Sequence, residues 1–267
     1  MIVVKSPMRI SFCGGGSDHP DFYRKNPEGG LVVSTAIDKY IYITINEEFT
    51  DKLNVRYSVK ELVDHREDLK HDIVKECLRI VGIERGLQIV IISDVPTHGT
   101  GLGSSSALTV GLLKGLYTWQ KKEIDCHILA RLACEVEIDR LKHPIGKQDQ
   151  YAVSYGSFNA IYFRPNEQVR VENLYQTAYF KKIEWLKDNL MLYYVGNKDN
   201  SNNILSRRRT DDIGFQITRA IRNLAKDMTE WLKSDAIDGE VLGEILNMGY
   251  TYKIEAGHGA VNPEYEF

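Results

Sequence analysis

A glycine-rich segment between a strand pattern and a helix pattern constrains this chain more than any other feature. The β-branched run at residues 87–92 predicts a strand, residues 96–107 read PTHGTGLGSSSA, and apolar residues recur at helical spacing over residues 105–119. Glycines allow positive φ angles and bring backbone N–H groups close to a ligand, and the N-terminus of the following helix adds an oriented dipole. The segment therefore predicts an anion-binding loop that suits a phosphate group.

Two familiar glycine motifs do not fit this loop. A Walker A loop places a lysine after its last glycine, and none follows Gly103. A dinucleotide-binding fold enters a second strand after its first helix, whereas this chain enters a second helical pattern at residues 124–141. The remaining alternative is a glycine-rich turn in which Ser104 only caps the helix. The length of the pattern favours a phosphate-binding loop.

Composition excludes several other classes of protein. Of the 267 residues, 43% are hydrophobic and 27% are charged, which is typical of a globular chain with a sizeable core. The net charge of -3 gives no basic field for nucleic acid or an anionic membrane, and no apolar run is long enough to span a bilayer. The four cysteines are scattered without a C-x-x-C pair, which favours reduced thiols. We therefore expect a cytoplasmic protein with a small-molecule partner.

Strand and helix patterns follow one another without an internal repeat and predict an α+β protein with two lobes. The predicted strands are residues 2–4 and 9–12, separated by Pro7, and residues 31–37, 40–45, 87–92, 159–163 and 190–195. The predicted helices are residues 105–119, 124–141, 217–232 and 241–252.

Three segments together resemble the signatures of the GHMP kinases, the superfamily of galactokinase, homoserine kinase, mevalonate kinase and phosphomevalonate kinase. Residues 96–107 resemble the second signature, P-x-G-x-G-L-G-S-S-[AS], with one extra residue between the proline and the first glycine. SPMRI at residues 6–10, with GGGSD at residues 14–18, resembles the first signature, and GKQDQY at residues 146–151 resembles the G-x-x-D-Q element. The amino-acid sequences of these segments are similar to those of the D-glycero-D-manno-heptose 7-phosphate kinase subfamily.

The resemblance implies a fold and a division of the chain. Residues 1–155 would form an ATP-binding lobe of the ribosomal S5 domain 2-like type, residues 156–267 would form a ferredoxin-like lobe, and ATP would lie between the lobes. The third glycine-rich signature of the family, G-x-G-G-G-G, is absent from the 267 residues. The second lobe is therefore expected to be truncated, and these residues alone are expected to be less stable and slower than a chain extended through that signature.

The resemblance also implies an activity. The subfamily transfers the γ-phosphoryl group of ATP, with Mg²⁺, to the anomeric hydroxyl of D-glycero-D-manno-heptose 7-phosphate, on the way to nucleotide-activated heptose for surface polysaccharide. Two alternatives remain open. One is another GHMP small-sugar kinase of the fucokinase or galactokinase type, whose partner is also a sugar or sugar phosphate. The other is a truncated, non-catalytic remnant that binds a nucleotide or a sugar.

The resemblance assigns roles to individual residues. Asp149 would orient or deprotonate the attacking hydroxyl with Arg9 beside it, and the alternative for Asp149 is a helix cap. The implied ATP contacts are Pro96, Gly99, Thr100, Gly101, Leu102, Gly103, Ser104, Ser105 and Ser106. The implied sugar contacts are Gly15, Gly16, Ser17, Asp18 and Lys147.

Metal and phosphate ligands follow from the same resemblance. Ser105 and Glu137 are the implied Mg²⁺ ligands, because Glu135 would point to the opposite face of a helix. Without the resemblance, Glu137 would be interpreted as a solvated charge. The candidates for a substrate phosphate are Lys147, Lys198 and Arg207, Arg208 and Arg209. Relatives commonly carry T-G-x-x-R where this chain has VGNKDN, so Lys198 would replace their arginine one position early.

Overall fold

The computed structural model describes residues 1–96, 100–175, 179–193, 209–234 and 238–256. Within them seven strands, β1 to β7, span Ile2–Cys13, Gly30–Glu47, Leu53–Arg56, Lys60–Val63, Leu87–Ser93, Phe158–Phe163 and Val169–Asn173. The α-helices described there, α1 to α8, span Pro20–Tyr23, Asp72–Val81, Ser104–Trp119, Cys126–Cys134, Gln148–Tyr155, Phe180–Asn189, Asp212–Lys233 and Gly239–Glu255. A 3₁₀ turn occupies Arg66–Asp68, and a π-helical turn occupies Glu135–Arg140. These elements confirm the predicted mixture of sheet and helix.

The elements form two compact units that are interleaved in sequence. The first unit comprises Met1–Arg9, Ile37–His143 and Asp149–Tyr155, and the second comprises Ile10–Ala36, Pro144–Gln148 and the chain from Gly156 onward. All of the first unit lies within residues 1–155. Strands β1 and β2 and helix α5 each contribute residues to both units.

The core of the first unit lies between a sheet and helix α3. Strands β4, β3, β5 and residues 41–47 of β2 are neighbours in that order, with β3 parallel to β5 and the other pairs antiparallel. Buried Ile43 of β2 and Ile89 of β5 belong to one hydrophobic cluster with Leu112 and Leu116 of α3. The sheet therefore supports α3 and the glycine loop that precedes it.

Helix α3 approaches the sheet closely because it carries glycine at position 111. A Cβ at Gly111 would lie 2.8 Å from Ile43 Cδ1 and 2.9 Å from Ser6 Cβ, closer than side-chain atoms normally come. The Ser6 hydroxyl of β1 donates a hydrogen bond of 2.7 Å to the carbonyl of Ala107 in the first turns of α3. These contacts hold the beginning of α3 in place.

The second unit has its own sheet segment and core. Residues 30–35 of β2 pair antiparallel with β6, and β6 pairs antiparallel with β7. Buried Val33 and Phe158 belong to a second hydrophobic cluster with Ile183 of α6 and Leu224 of α7. The buried residues of α7 recur every three or four positions, as in an amphipathic helix. Helices α7 and α8 confirm the two helices predicted near the end of the chain.

Two predicted boundaries among the strands are wrong. Pro7 separates nothing, since β1 runs unbroken from Ile2 to Cys13. In the described sheet β1 pairs with β2 alone, so one side of its backbone makes no ladder and can accommodate a residue without an N–H group. The strands predicted at residues 31–37 and 40–45 are one strand, β2, because extended backbone continues through Asp38 and Lys39.

Two later predictions are also wrong. Residues 124–141 do not form a single α-helix, since α4 ends at Cys134 and the π-helical turn follows it. Residues 190–193 form no strand, and Met191, Leu192 and Tyr193 are exposed. The rest of that predicted strand, residues 194–195, lies outside the described residues. Apolar composition alone suggested burial there, and the run instead follows directly on the end of α6.

Two further observations concern the cysteines and the helices. All four cysteines are free, as predicted, and burial raises the pKa of the Cys13 thiol to about 12, where it is unreactive at neutral pH. Among the helices that the structure describes, none combines the length and the apolar character needed to cross a membrane.

Candidate active site

Asp149 and Arg9, the predicted catalytic pair, form a bidentate ion pair within the first unit. Arg9 Nε donates to Asp149 Oδ1 at 2.7 Å, and Arg9 Nη2 donates to Asp149 Oδ2 at 2.5 Å. The two side chains are only 10% and 21% exposed, so the pair is shielded from solvent. Helix α5 begins at Gln148, which places Asp149 inside its first turn and not at a capping position. The alternative of a helix cap is therefore wrong for Asp149.

Arg9 also connects this ion pair to the glycine loop. Its Nη1 donates to the carbonyl of Gly101 at 2.7 Å, and its backbone N–H donates to the carbonyl of Leu102 at 3.0 Å. Gly103 lies so close that a Cβ there would be 3.2 Å from Asp149 Oδ2 and 3.3 Å from the Arg9 side chain. The loop and the ion pair are thus packed against each other.

The glycine loop has the backbone that the sequence predicted. Gly101 and Gly103 have φ angles of +64° and +72°, in the left-handed region that favours glycine. Gly103 is the N-cap of α3, so Ser104 is the first helical residue and not the cap. The hydroxyl of Thr100 is buried and has no hydrogen-bond partner among the described residues. Pro96 is exposed and Leu102 packs against the first hydrophobic core, whereas Gly99 and the extra residue before it lie outside the described residues.

Glu137 is a second carboxylate of the first unit, and it is fully buried. It accepts hydrogen bonds from the hydroxyl of Ser105, from the hydroxyl of Ser106 at 2.7 Å and from Gln150 Nε2 at 2.7 Å. Its exposed fraction is 0%, so the interpretation of Glu137 as a solvated charge is wrong. Glu135 instead accepts from the exposed Arg140 side chain at 2.6 Å, on another face of the chain.

The π-helical turn explains why these two glutamates differ. In this turn the N–H of Leu141 donates to the carbonyl of Val136, five residues earlier, and widens the helix locally. Glu137 lies at the centre of the turn and reaches α3 and α5 through its three hydrogen bonds. Such turns often occur at functional sites.

The three hydrogen-bond donors to Glu137 are uncharged. They therefore offset only in part the effect of burial on the pKa of its carboxyl group. Burial raises the pKa of Glu137, hydrogen bonds from Ser105, Ser106 and Gln150 lower it in part, and the charge of Asp149 raises it further. The net shift is upward. A cation beside this group would therefore stabilise its ionised form.

The candidate metal ligands lie together. Ser105 and Glu137 are hydrogen-bonded to each other, which confirms neither a metal nor its absence. In the described parts of the chain, no three His, Cys, Asp or Glu side chains gather as a metal site. A cation held here would take few protein oxygens, as Mg²⁺ does when phosphates and water complete its shell.

The predicted sugar-binding loop, residues 14–18, belongs to the second unit. The Asp18 carboxylate is 1% exposed and accepts from the backbone N–H groups of Gly16 at 2.9 Å and Gln148 at 3.0 Å. The buried Ser17 hydroxyl donates to the Gly14 carbonyl at 2.7 Å and accepts from the N–H of Leu31 at 3.1 Å. Both side chains therefore hold the loop in shape, and the backbone of the glycines remains the part that a ligand could approach.

Lys147, the predicted phosphate ligand, is paired with Glu167. Lys147 Nζ contacts Glu167 Oε2 at 2.5 Å, the Tyr23 hydroxyl donates to the same oxygen at 2.7 Å, and Arg24 Nε donates to Oε1 at 2.5 Å. Burial raises the pKa of Glu167, but the hydrogen bonds from Lys147, Tyr23 and Arg24 outweigh it and lower the pKa to about 2. These three donors thus converge on one anionic group.

Of the other predicted phosphate ligands, only Arg209 lies within the described residues. Arg209 Nη2 donates to Asp211 Oδ2 at 2.8 Å near the start of α7. Lys198, Arg207 and Arg208 lie outside the described residues, as does the segment that departs from the T-G-x-x-R pattern.

Comparison with known proteins identifies a family domain within the chain. Residues 69–157 match the family model described as the GHMP kinases N terminal domain. D-glycero-alpha-D-manno-heptose 7-phosphate kinase of Campylobacter jejuni is 29% identical over 286 aligned positions, which cover 99% of this chain and 80% of the relative. Residues 69–157 therefore carry a GHMP kinase N-terminal domain. With kinases among its relatives, the chain is a phosphotransferase with an alcohol group as acceptor, and GHMP kinases use ATP as phosphate donor.

Two further relatives agree with this match. A galactokinase of Pyrococcus furiosus is 28% identical to this chain over 245 positions, which cover 86% of the chain and 63% of the relative. The crystal structure of a D-glycero-D-manno-heptose 1-phosphate kinase from Bacteroides thetaiotaomicron has a TM-score of 0.71 at 24% identity, and it covers 96% of this chain and 80% of that one. The latter likeness shows that the fold is that of GHMP kinases.

Sequence reasoning missed the role of Gln150. Its buried amide donates to Glu137, while its Oε1 has no hydrogen-bond partner among the described residues. The available signal was its place after Asp149 in the G-x-x-D-Q element, which marked the residue without indicating its contact. Gln150 donates a hydrogen bond to the carboxylate of Glu137, whereas Arg9 donates to that of Asp149.

Proposed function

We propose that this chain is an ATP-dependent kinase that phosphorylates the anomeric hydroxyl of D-glycero-D-manno-heptose 7-phosphate. The observation that carries the proposal is the shielded, bidentate Arg9–Asp149 pair held directly on the glycine loop by the bond from Arg9 to Gly101. Similarity to the Campylobacter heptose phosphate kinase over 99% of the chain supports the choice of acceptor.

Asp149 is the group proposed to act on the acceptor hydroxyl. Phosphoryl transfer requires mainly positioning and charge stabilisation, together with a carboxylate that orients the attacking hydroxyl or accepts its proton. Arg9 fixes both carboxylate oxygens and also donates to the loop. It would keep Asp149 in place and stabilise negative charge on the group being transferred.

The glycine loop is the proposed binding site for the ATP phosphates. The proposed contacts are Pro96, Gly99, Thr100, Gly101, Leu102, Gly103, Ser104, Ser105 and Ser106. Two observations fit phosphate. Among the described residues, the buried Thr100 hydroxyl has no hydrogen-bond partner, and a Cβ at Gly101 would meet no atom within 4 Å. Oriented N–H groups at the start of α3 suit an anion.

Ser105 and Glu137 are the proposed ligands of a Mg²⁺ ion. The fit rests on the donor set: a buried carboxylate with only uncharged donors lies against an exposed serine hydroxyl at the start of α3. Hard oxygen ligands of this kind suit Mg²⁺. Bound there, Mg²⁺ would neutralise charge on the ATP phosphates.

The proposed acceptor site uses the loop of Gly15, Gly16, Ser17 and Asp18, with Lys147 for the phosphate of the sugar. Ser17 and Asp18 would act by shaping the loop, because their side chains are buried and bonded within it. Lys147 and Arg24 already bind a carboxylate, Glu167, and a phosphate monoester offers them oxygens of the same charge sign.

An assay of ATP consumption over a panel of sugars tests the proposal. The panel contains the heptose 7-phosphate, the free heptose, galactose and fucose, and we expect the heptose 7-phosphate to give the highest kcat/KM. Similarity to the Pyrococcus galactokinase favours galactose as the second candidate, and a preference for galactose would replace the heptose assignment. Binding of ATP without turnover on any sugar would select the non-catalytic alternative.

A further inference from the structure

The two oxygens of the Glu137 carboxylate, in the first unit, have different surroundings. Oε2 accepts two hydrogen bonds, one from the Ser106 hydroxyl at 2.7 Å and one from Gln150 Nε2 at 2.7 Å. Oε1 accepts a hydrogen bond from the Ser105 hydroxyl. Ser106 and Gln150 are 1% and 0% exposed, whereas Ser105 is exposed. One oxygen is therefore held by two buried donors, and the other oxygen has an exposed partner.

The donors to Oε2 are fixed more firmly than the donor to Oε1. Ser106 lies in the first turn of α3 and Gln150 lies in the first turn of α5, and close packing leaves buried side chains few other rotamers. Ser105 is exposed, and its hydroxyl turns about a single bond. Oε1 is therefore the oxygen that can change its partner without disturbing the buried contacts.

This asymmetry bears on the kind of cation that the carboxylate suits. Mg²⁺ in nucleotide sites takes one or two carboxylates, with phosphates and water completing a small octahedral shell. Ca²⁺ is larger, takes more oxygens and often binds both oxygens of one carboxylate. Because Oε2 of Glu137 already accepts two hydrogen bonds, Oε1 is the oxygen left for a cation. The arrangement thus suits Mg²⁺ and disfavours a cation that takes both oxygens.

We propose that Gln150 and Ser106 are positioning residues that keep Glu137 a one-oxygen ligand and so set a preference for Mg²⁺ over Ca²⁺. This inference rests on the proposed function, because it takes Glu137 as a Mg²⁺ ligand. Neither positioning residue touches the cation, and each acts through the carboxylate that it orients. If the two donors served only to satisfy a buried carboxylate, their loss would lower stability without changing which cation is bound.

Gln150→Leu and Ser106→Ala test the proposal, because each removes one donor to Oε2. Electron paramagnetic resonance measures Mn²⁺ bound to the protein with a non-hydrolysable ATP analogue, and displacement by Mg²⁺ or Ca²⁺ gives the relative affinities without any turnover. We expect Gln150→Leu to weaken Mg²⁺ binding about 10-fold or more, as is usual when a group that orients a metal ligand is lost. Ca²⁺ binding should weaken less. Ser106→Ala should act in the same direction, and the double variant should exceed either.

The matched control is Ser154→Ala. Ser154 lies in the same helix as Gln150, but its hydroxyl donates to the carbonyl of Cys126 at 2.6 Å. Its loss should leave the preference for Mg²⁺ unchanged. Melting temperature and metal-free affinity for the ATP analogue are measured for every variant, and the metal-free affinity should match that of the wild type. Should Gln150→Leu not fold, the milder Ser106→Ala decides by the same ratio of affinities.

Glu137→Gln and Ser105→Ala, measured in the same way, separate this inference from the proposed function. If both weaken Mn²⁺ binding while Gln150→Leu, Ser106→Ala and the double variant keep the Mg²⁺ to Ca²⁺ ratio within about twofold, the inference is rejected and the metal ligands stand. If the ratio falls as expected but no sugar is phosphorylated, the kinase proposal fails and the inference stands. Unchanged Mn²⁺ binding in Glu137→Gln rejects both the metal ligands and the inference.

Discussion

Asp149 and Glu137 are two carboxylates of the first unit in opposite surroundings. Asp149 is paired with a guanidinium group through two hydrogen bonds. Glu137 is fully buried among uncharged donors, and burial raises its pKa. Two titratable groups in contrasting surroundings commonly carry different roles in one site. The contrast supports Asp149 as the group for the acceptor hydroxyl and Glu137 as the group for a cation.

Asp149→Asn tests the first of these roles. An amide cannot accept the hydroxyl proton, so we expect kcat to fall by roughly 10² or more, the usual contribution of a general base. ATP affinity should change little, because the loop residues that bind phosphate are retained. The measurement is kinase turnover beside nucleotide binding. Turnover close to that of the wild type would remove Asp149 from the mechanism.

Glu137→Gln should change how stability depends on pH. Because the folded protein holds the Glu137 proton more tightly than the unfolded chain does, the free energy of unfolding falls as pH rises from about 4.3, the ordinary glutamate value, through the raised folded-state pKa. Glutamine removes this loss. In thermal melts without nucleotide or Mg²⁺, we compare the melting temperature of the variant with that of the wild type. We expect the difference, variant minus wild type, to be larger at about pH 8 than at about pH 5.

Glu135→Gln is the matched control, since Glu135 lies two positions away and pairs with the exposed Arg140. It should not show this pH-dependent gain. A Glu137→Gln variant that melts below the wild type at every pH would contradict the interpretation, because its amide would then be worse than the buried carboxyl in either protonation state.

Ser105→Ala and Glu137→Gln should each raise the Mg²⁺ concentration needed for half-maximal rate, since each removes or neutralises one oxygen ligand of a hard cation. A Mg²⁺ titration of the initial rate gives the comparison, again with Glu135→Gln as control. If only Glu135→Gln raises the Mg²⁺ concentration needed for half-maximal rate, the cation is bound by Glu135 and not by Glu137.

The sequence named the residues of the candidate site more completely than it explained their contacts. Arg9 and Asp149 are 140 positions apart, so no local pattern could pair them, and only the resemblance brought them together. The burial of Glu137 was not evident either, since acidic and apolar residues alternate around it and the π-helical turn leaves no clear periodicity.

Among the helices and strands, elements with a clear apolar pattern were predicted most closely, although the two longest strands, β1 and β2, were each divided in two. Strand β5 and helix α3 fall within one residue of their predicted limits, because each carries a clear apolar pattern. Strands β3 and β4 have four residues each, too few for alternation to appear, and neither was predicted. Helix α2 was also missed, although its buried Ile73, Val74, Cys77 and Leu78 recur at helical spacing.

Helix α3 offers a test of the close packing that supports the glycine loop. Gly111→Ala would place a Cβ 2.8 Å from Ile43 Cδ1, so we expect a loss of about 1–3 kcal/mol in the free energy of unfolding through overpacking. Gly243→Ala is the control, since Gly243 is exposed in helix α8 and a Cβ there meets none of the described residues within 4 Å. It should gain about 0.5–1 kcal/mol from helix propensity. Denaturant unfolding measures both, and equal effects would contradict the packing assigned to α3.

The chain has two hydrophobic cores. Its sequence motifs are divided between the two units. The division at residue 155, proposed from the family, is simpler than the observed arrangement, in which residues 10–36 and 144–148 join the later part of the chain. Periodicity reports how a segment folds locally and does not report which core it joins. The motif residues Gly15 and Gln148 thus belong with the second core, although both precede residue 155.

Phosphorus NMR of one reaction mixture tests the proposed activity most directly. The protein, ATP, Mg²⁺ and D-glycero-D-manno-heptose 7-phosphate are mixed, and a parallel sample contains the free heptose. We expect ADP and a new phosphomonoester on the anomeric carbon of the heptose 7-phosphate in equal amounts, and a rate about 10- to 100-fold lower with the free heptose, because charged hydrogen bonds to its phosphate are lost. ADP accompanied only by inorganic phosphate, or equal rates with both sugars, would contradict the assignment.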